Sequence, residues 1–268
     1  MKGALFVLLV LLSLFSECFA QIGPGARQIA LAHSDIANSN DVFALFNNPS
    51  GLASVSARGA GLFYSPAPFG LTELSTGFAS YCEPTPIGNF AAGFSVYGFE
   101  LYRETSFAIG YAGKMTNSFS VGITSLYRNI AIKNYGSRGI FIFNIGASAK
   151  LSNKFSLGFL FENMTRASIA NESDQSPGAL WIGGSINLQK RTSFSAAVKK
   201  EIGFNPSLKL GFEYGAFDFL IFRFGASNEP DIYCGGFGIL YNSFQFDYAL
   251  TSHNYLGVTH QFGVLINF

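Results

Sequence analysis

The stretch from Leu208 to Gly215, LKLGFEYG, alternates between two kinds of side chain and decides the predicted fold. Leu, Leu, Phe and Tyr occupy its even positions, and Lys, Gly, Glu and Gly occupy its odd positions. Successive side chains of a β-strand point to opposite faces of a sheet. The stretch therefore predicts a strand with one apolar face and one small or polar face.

The same alternation recurs along most of the chain, for example in FSLGFLFE (155–162) and FQFDYALT (244–251). Most of these segments have the roughly 9–11 residues of a tilted membrane strand. Tight turns such as 152–153 and 242–243 separate longer connections such as 166–178. This is the pattern of an outer-membrane barrel, whose short turns face the periplasm. The pattern predicts about fourteen strands, near 57–65, 71–82, 88–99, 102–114, 118–131, 138–151, 155–165, 179–189, 193–201, 206–216, 219–227, 231–241, 244–252 and 256–268.

The composition indicates that the apolar faces of these strands meet lipid. Hydrophobic residues make up 49% of the chain and charged residues 12%, against about 25% charged in soluble domains. A soluble β-sandwich or lipocalin-like barrel would carry many Lys and Glu on its outer face, whereas the polar faces here are mostly Gly, Ser and Asn. We therefore predict an all-β, transmembrane antiparallel β-barrel in the outer membrane, in contact with its lipid. The formal net charge of +1 gives no reason to expect a nucleic-acid partner.

The amino terminus has the features of a cleaved signal peptide over residues 1–20. A basic start precedes the apolar run 4–15, and the small residues Cys18 and Ala20 follow. The run is shorter than the roughly 20 residues of a membrane-spanning helix. Lipidation at Cys18 is the alternative, and Glu17 disfavours it.

Residues 21–56 show no alternation and precede the predicted barrel, 57–268. Asp41 can cap a short helix that extends to Phe46, and the run NNPSGL (47–52) then breaks it. Such a segment either hangs in the periplasm or folds into the barrel lumen.

The run ANSNDVFALFNNPSGL (37–52) resembles the amino-terminal signature of the FadL-like outer-membrane barrels. These include the PorV/PorQ proteins of type IX secretion and the long-chain fatty-acid transporters. Their signature is an acidic residue, a short helix and Asn-Pro-Ala-Gly-Leu, and Ser50 replaces the Ala here. The end of the chain, FDYAL (246–250) and LGVTH (256–260) followed by alternation to Phe268, is similar to the last two strands of PorV/PorQ.

The resemblance covers the mature chain and implies fourteen strands and an amino-terminal plug inside the barrel. Asn side chains can bond backbone groups in a lumen, and Pro and Gly can fix a turn, although an exposed turn would have the same composition. The residues implied as the plug motif are Asp41, Asn48, Pro49, Ser50, Gly51 and Leu52.

Charged residues on the lumen-facing side of the predicted strands form a second candidate site. In a region of low dielectric they must pair or contact water. Glu213 and Arg223 lie diagonally across a hairpin predicted to turn at 216–218. We expect a structural network that braces the plug, with a polar conduction path as the alternative. The predicted lumen charges are Arg128, Glu162, Lys209, Glu213, Arg223 and Asp247.

The sequence contains no recognisable catalytic, metal or cofactor site. Its histidines are His33, His253 and His260, and His260 falls on the lipid-facing side of the last strand. This scatter fits neither a Ser-His-acid arrangement nor a set of metal ligands. Cys82 and Cys234 fall on distant strands, so a disulfide between them is not favoured.

Three functions remain open, and none of them is enzymatic. The first is a PorV/PorQ-like accessory of type IX secretion, which binds secretion-system proteins or secreted cargo. The second is a FadL-like channel for hydrophobic small molecules such as long-chain fatty acids. The third is a structural barrel with neither role. The longest connection, 165–177, is polar, which favours the first over the second.

Overall fold

The computed structural model describes residues 23–167, 178–189, 191–253 and 256–268. The predicted signal peptide and most of the polar connection 165–177 lie outside these residues. Within them, fourteen strands form a closed antiparallel barrel in which β1 pairs with β14. The strands are β1 Gly59–Ser65, β2 Thr76–Thr85, β3 Gly88–Gly98, β4 Tyr102–Lys114, β5 Phe119–Ile132, β6 Gly136–Lys150, β7 Phe155–Glu162, β8 Ala179–Gln189, β9 Thr192–Glu201, β10 Ser207–Phe217, β11 Leu220–Ser227, β12 Ile232–Tyr241, β13 Phe244–His253 and β14 Gly257–Asn267.

The predicted fold class is confirmed, and each predicted strand has a counterpart in the barrel. The largest difference in bounds is in β2, which begins at Thr76 and not near residue 71. A turn of 3-10 helix, Thr72–Leu74, occupies the predicted start of this strand.

The alternation of β10 separates the two faces of the barrel wall. Leu208, Leu210 and Phe212 are exposed on the outer face, whereas Gly211 and Glu213 are buried on the inner face. An exposed apolar outer face suits the hydrocarbon core of a membrane, where closure of the barrel pairs the backbone groups of every strand. None of the described helices has the length and hydropathy of a membrane-spanning helix.

The two ends of the barrel differ in their connections. Both ends of the barrel chain, Gly59 and Asn267, lie together at the end with tight turns such as 218–219 and 242–243. We call this the terminal end. The opposite end carries the connections 66–75 and 163–178, and we call it the loop end. Two loop-end connections, 99–101 and 133–135, are also short.

Residues 23–58, which we call the amino-terminal segment, pack against the inner face of the barrel wall. Helix α1, Ala26–Ala30, contacts β11 to β14. The 3-10 helix Asp35–Ala37 contacts β7 to β9, Val42–Leu45 contacts β1 to β4, and Pro49–Ser54 contacts β3 to β6. The segment thus contacts wall strands on all sides of the lumen.

Candidate functional site

Glycines lie on the inner wall at many of the closest approaches of the amino-terminal segment. A Cβ atom added at Gly122 would lie 2.4 Å from the carbonyl carbon of Pro49, and one at Gly225 would lie 2.5 Å from the amide nitrogen of Ala32. Real Cβ atoms essentially never approach other heavy atoms so closely, so glycine is what lets the segment fit. We name these wall residues the glycine belt. Its members in the described residues are Gly61, Gly93, Gly110, Gly122, Gly146, Gly158, Gly211, Gly225 and Gly236.

Asn48 connects two parts of the amino-terminal segment and reaches the wall. Its Nδ2 atom donates to the carbonyl oxygen of Ile36 at 2.7 Å and to that of Ala147 in β6 at 3.5 Å. Its Oδ1 atom accepts from the backbone N–H of Ser50 at 3.2 Å and from its hydroxyl at 2.8 Å. Since Asn48 is fully buried, each of these bonds replaces one that water would otherwise supply.

The rest of the predicted motif is buried beside Asn48. Pro49 begins the 3-10 helix that Asn48 caps. A Cβ at Gly51 would lie 1.6 Å from the carbonyl oxygen of Ser39, so the close contact requires glycine. The carbonyl of the buried Leu52 accepts a 2.6 Å bond from Asn89 of β3. The motif is therefore inside the barrel and not in an exposed turn.

Asp41 joins the motif to helix α1. Its Oδ1 atom accepts from the backbone N–H of Phe43 at 2.9 Å and caps the helix Val42–Leu45. Its Oδ2 atom accepts from Gln28 at 2.6 Å and lies 3.4 Å from Nη1 of Arg27.

Three of the predicted lumen charges form one buried network. Arg223 donates through Nε to Oε2 of Glu213 at 2.7 Å and through Nη1 to Oδ1 of Asp247 at 2.6 Å. Oε2 of Glu213 also accepts from Nε of Arg27 at 3.1 Å. Arg27 thereby links the amino-terminal segment to β10.

The predicted diagonal placement of Glu213 and Arg223 is wrong, because the two residues are direct register partners. Strand β10 continues to Phe217, the turn comes at 218–219, and the register shifts between Gly215 and Phe217. Together these changes move the pairing by two residues.

The other three predicted charges lie on the inner wall with different partners. Arg128 lies 3.7 Å from Glu104. Glu162 accepts a 3.0 Å bond from the indole N–H of Trp181. Lys209 lies over the ring of the same Trp181, with its Nζ atom 5.6 Å from the ring centre.

Several of these partners were missed by the sequence analysis. Glu104 and Trp181 occupy inner-face positions of their strands, so the alternation could have identified them. Arg27 lies in a segment without alternation, and the sequence carried no signal for its pairing.

Ionisable groups of the amino-terminal segment are strongly perturbed by their burial. Burial raises the pKa of Asp35 to about 6, although Arg27 opposes the shift. Burial and the charge of Lys209 lower the pKa of His33 to about 3. Burial alone would lower the pKa of Arg27, but Glu213, Asp35 and Asp41 raise it above its ordinary value.

On its loop side, the amino-terminal segment meets an apolar region of the lumen. The rings of Phe46 and Phe78 are 5.2 Å apart between centres, and those of Phe63 and Phe78 are 6.0 Å apart. The buried side chains of Leu126 and Ile142, which are register partners on β5 and β6, belong to the same cluster. This part of the lumen therefore offers apolar contacts.

On its terminal side, the amino-terminal segment meets a polar cavity of about 570 Å³. Its lining includes Ser54 and Asn38 of the segment and Asn117, Ser148 and Asn187 of the wall. The segment thus separates an apolar region on the loop side from a polar one on the terminal side.

The remaining candidate residues are dispersed. His260 is exposed on the outer face, and its Nδ1 atom lies 2.7 Å from the hydroxyl of Tyr248. Cys82 and Cys234 are free thiols. No group of three or more His, Cys, Asp or Glu side chains that could hold a metal occurs in the described residues.

Comparison by sequence found no matching family model and no matching curated protein. Comparison by structure found several channels. The CymD monoaromatic hydrocarbon channel has a TM-score of 0.71 at 12% identity, over 94% of this chain and 99% of that one. The Pseudomonas putida toluene transporter TodX has a TM-score of 0.70 at 13% identity, over 92% and 99%. A Pseudomonas aeruginosa FadL homologue has a TM-score of 0.65 at 13% identity, over 92% and 99%.

These similarities extend over nearly the whole length of each channel, but the sequence identity is low. They show a shared fold, and the chain therefore has the fold of CymD, TodX and the FadL homologue.

Proposed function

We propose that this protein is a non-enzymatic outer-membrane channel that admits small hydrophobic molecules, and that the amino-terminal segment is its plug. The observation that carries the proposal is the apolar lumen region around Phe46, Phe78 and Ile142, which the segment closes from the terminal side. The similar folds of CymD, described as a hydrocarbon channel, and TodX, described as a toluene transporter, support the same function.

The polarity of the lumen favours a hydrophobic cargo over a hydrophilic one. Water-filled porins have polar interiors, whereas Leu126 and Ile142 point inward here and are buried among other apolar groups. Ligand sites that bind apolar molecules are lined mainly by aliphatic and aromatic side chains. The transfer of a hydrophobic molecule from the water outside the cell into this region would therefore be favourable.

The closing role of the segment rests on its packing. Asn48 bonds to the wall at Ala147, and Arg27 bonds to Glu213. Passage of cargo requires that some of these contacts give way, because the glycine belt leaves no space between the segment and the wall at its closest approaches.

The PorV/PorQ-like secretion role stays a prediction from the sequence resemblance. The similar structures are channels and favour the transport alternative. Cleavage of the signal peptide after Ala20 and insertion in the outer membrane belong to the proposal as well.

The test is an uptake assay with the full chain in a Gram-negative host that lacks its own hydrocarbon channels. Cells that express the protein should take up labelled toluene several-fold faster than cells with an empty vector, and glycerol at an unchanged rate. Equal toluene rates in the two strains would contradict the proposal. Mild-detergent purification in parallel would show whether secretion proteins accompany the barrel.

A second variant tests the plug itself. A Cβ atom at Gly263 of β14 would lie 3.3 Å from the Cβ atom of Ala26, near the roughly 3.5–4.5 Å of a disulfide, so cysteines at these two positions can tether the segment to the wall. In a background of Cys82→Ser and Cys234→Ser, the pair Ala26→Cys and Gly263→Cys should slow toluene uptake when oxidised and restore it when reduced. Equal toluene uptake in the oxidised and reduced states would contradict the proposal that the segment is a plug.

A further inference from the structure

The polar cavity on the terminal side of the amino-terminal segment, which we call the terminal cavity, has the size of a ligand site. Its volume is about 570 Å³, and ligand pockets typically measure roughly 300–1,000 Å³. The segment forms its floor at residues 36–40, 51 and 54, and the turns 117–118 and 151–153 of the terminal end border it. The cavity therefore lies between the segment and the terminal end of the barrel.

Hydroxyl and amide groups dominate the lining of the terminal cavity. Ser148 of β6, Ser156 of β7 and Asn187 of β8 line its wall, and such side chains both donate and accept hydrogen bonds. Among the described residues that line it, none is aromatic or acidic. The lining thus offers no ring on which a nucleobase could stack, and it suits an occupant with peptide-like donors and acceptors.

The hydroxyl of Ser39 on the floor is a buried group without a partner. Ser39 is only 3% exposed, it belongs to the lining of the cavity, and its Oγ atom has no hydrogen-bond partner among the described residues. A buried hydroxyl without a partner is unfavourable. A polar occupant of the cavity would supply the missing bond.

Three lysines of the terminal end surround the same cavity. Lys150 belongs to its lining. The carbonyl of Lys154 accepts from the backbone N–H of Asn187 at 2.7 Å, which places Lys154 beside a second lining residue. Lys114 lies at the end of β4, two strands away from Ser148. The three ammonium groups give this part of the terminal end a positive charge.

The strand alternation places two of these lysines on the lumen side of the wall. Lys114 follows Gly110 by four residues in β4, and Lys150 follows Gly146 by four residues in β6. Both glycines belong to the glycine belt of the inner face, and alternate residues of a strand share a face. Membrane lipid contacts the opposite, outer face of a barrel. These lysines are therefore placed for a partner in the lumen.

The three lysines have no carboxylate partner within the described part of the chain, where no carboxylate oxygen lies within 4.0 Å of their Nζ atoms. Arg191, the next cation along the terminal end, is paired with Asp218. Residue 190, which lies between β8 and β9 outside the described ranges, is itself a lysine. The connection 163–178 joins its strands at the loop end. An uncompensated positive charge attracts an anionic partner.

The floor of the terminal cavity is also a part of the segment that Arg27 contacts. Its Nη1 atom donates to Oδ1 of Asn40 at 2.9 Å, and Asn40 belongs to the lining. An occupant would therefore contact residues 38–40 directly, and hydrogen exchange at these residues can report its presence.

We propose that the terminal cavity binds an acidic, extended peptide segment of a periplasmic partner protein. Short turns of outer-membrane barrels face the periplasm, so the partner approaches from that side. Lys114, Lys150 and Lys154 contact its carboxylates, and the hydroxyl and amide groups of the lining bond to its backbone. This inference goes beyond the proposed transport function and does not depend on the cargo.

The test is a binding measurement on the full chain in nanodiscs of zwitterionic lipid. The probe is a short peptide of alternating Glu and Ser that carries a rhodamine label, and its uncharged match has Gln in place of every Glu. Fluorescence anisotropy should show the acidic peptide binding about tenfold more tightly than its match, as charge-assisted bonds predict. The difference should shrink as salt is added. Equal affinity for the two peptides would overturn the proposal.

Charge variants assign the preference to the cavity. Lys150→Gln combined with Lys154→Gln should remove most of the difference between the two peptides. Lys133→Gln combined with Lys200→Gln makes the same change of net charge at the loop end and should behave as the wild type. A preference that survives the first pair, or that falls equally with both pairs, would overturn the assignment.

A steric variant tests whether the peptide enters the cavity. Ser156→Trp fills the cavity without changing the charge and should abolish binding, whereas Leu157→Trp, on the outer face of the same strand, should leave it intact. Heat-modifiable migration in gels shows that both variants are folded. Bound peptide should also slow hydrogen exchange of residues 38–40. Binding that survives Ser156→Trp would place the peptide outside the cavity and contradict the proposal.

Competition distinguishes a peptide from other anions. Inorganic phosphate or a short-chain phosphatidylglycerol that displaces the probe as well as unlabelled peptide does would assign the lysines to a phosphate group and overturn the peptide site. Toluene uptake by host cells should be the same for Lys150→Gln combined with Lys154→Gln as for the wild type. The peptide site and the transport function can therefore fail separately.

Discussion

Arg27 of the amino-terminal segment donates through Nε to Oε2 of Glu213 on β10 at 3.1 Å. The same oxygen accepts from Arg223 of β11, which also bonds to Asp247 of β13. One carboxylate oxygen therefore holds two buried guanidinium groups, one from the segment and one from the wall. The position of the segment therefore depends on the same carboxylate that neutralises the buried Arg223 of the wall.

Glu213→Gln should loosen the amino-terminal segment. The substitution leaves Arg27 and Arg223 buried with less negative charge, and breaking a buried pair in this way typically costs about 3–5 kcal/mol. Hydrogen exchange of residues 26–41 should accelerate while the strands stay protected. Glu83→Gln, which removes the partner of the exposed Arg58, is the control and should leave the exchange unchanged. Unaltered exchange in Glu213→Gln would show that the network does not hold the segment.

Asn48→Ala should release the turn that connects residues 36 and 50. The buried carbonyl of Ile36 and N–H of Ser50 would lose their partners, at about 1–3 kcal/mol for each unsatisfied group. Limited proteolysis should then cut the segment, whereas Asn117→Ala, at an exposed turn, should resist cleavage like the wild type. Equal resistance of both variants would argue against an anchoring role for Asn48.

Gly122→Ala should displace the segment without preventing barrel formation. The new Cβ atom would lie 2.4 Å from the carbonyl carbon of Pro49. Because this neighbour is a backbone atom, the clash can be relieved only if the helix Pro49–Ser54 moves away from β5. Gly184→Ala is the matched control, because its Cβ would meet Phe155 at an ordinary 3.6 Å. Both variants should keep heat-modifiable migration in gels, and only Gly122→Ala should expose the segment to protease. Identical protease patterns would contradict the close fit.

Acid should weaken the packing of the segment through His33. Burial and the charge of Lys209 lower its pKa to about 3, so the packed segment binds fewer protons than a released one with an ordinary pKa of about 6.5. The stabilisation present at neutral pH is therefore lost as the pH falls below 6.5, by about 2 kcal/mol at about pH 5.

Asp35 acts in the opposite direction between about pH 4 and pH 6, since its pKa of about 6 means that the packed state binds more protons there. His33→Asn isolates the histidine effect, because Asp35 is common to both proteins. Protection factors of residues 26–37, which correct for the intrinsic slowing of amide exchange in acid, should fall more in the wild type than in the variant on acidification. An equal fall in both would mean that protonation of His33 does not weaken the packing of the segment.

The strands and their two faces could be predicted because the alternation in stretches such as 208–215 is a local property of the chain. The inner position of Lys209 and Asp247 followed from the same alternation. The partner of Glu213 could not be predicted in the same way. Its register depends on where a short hairpin turns, and the turn at 218–219 together with the register shift between Gly215 and Phe217 moved that pairing by two residues.

The sequence by itself determined an all-β barrel with an apolar outer wall, because side-chain periodicity selects the backbone conformation and separates the apolar face from the polar one. The tertiary structure decided where the amino-terminal segment lies and which charges meet. Arg27 pairs with Glu213, far away in the chain, only because closure of the barrel brings β10 around the segment. Contacts of this kind depend on the shape of the closed lumen, which no local pattern of residues encodes.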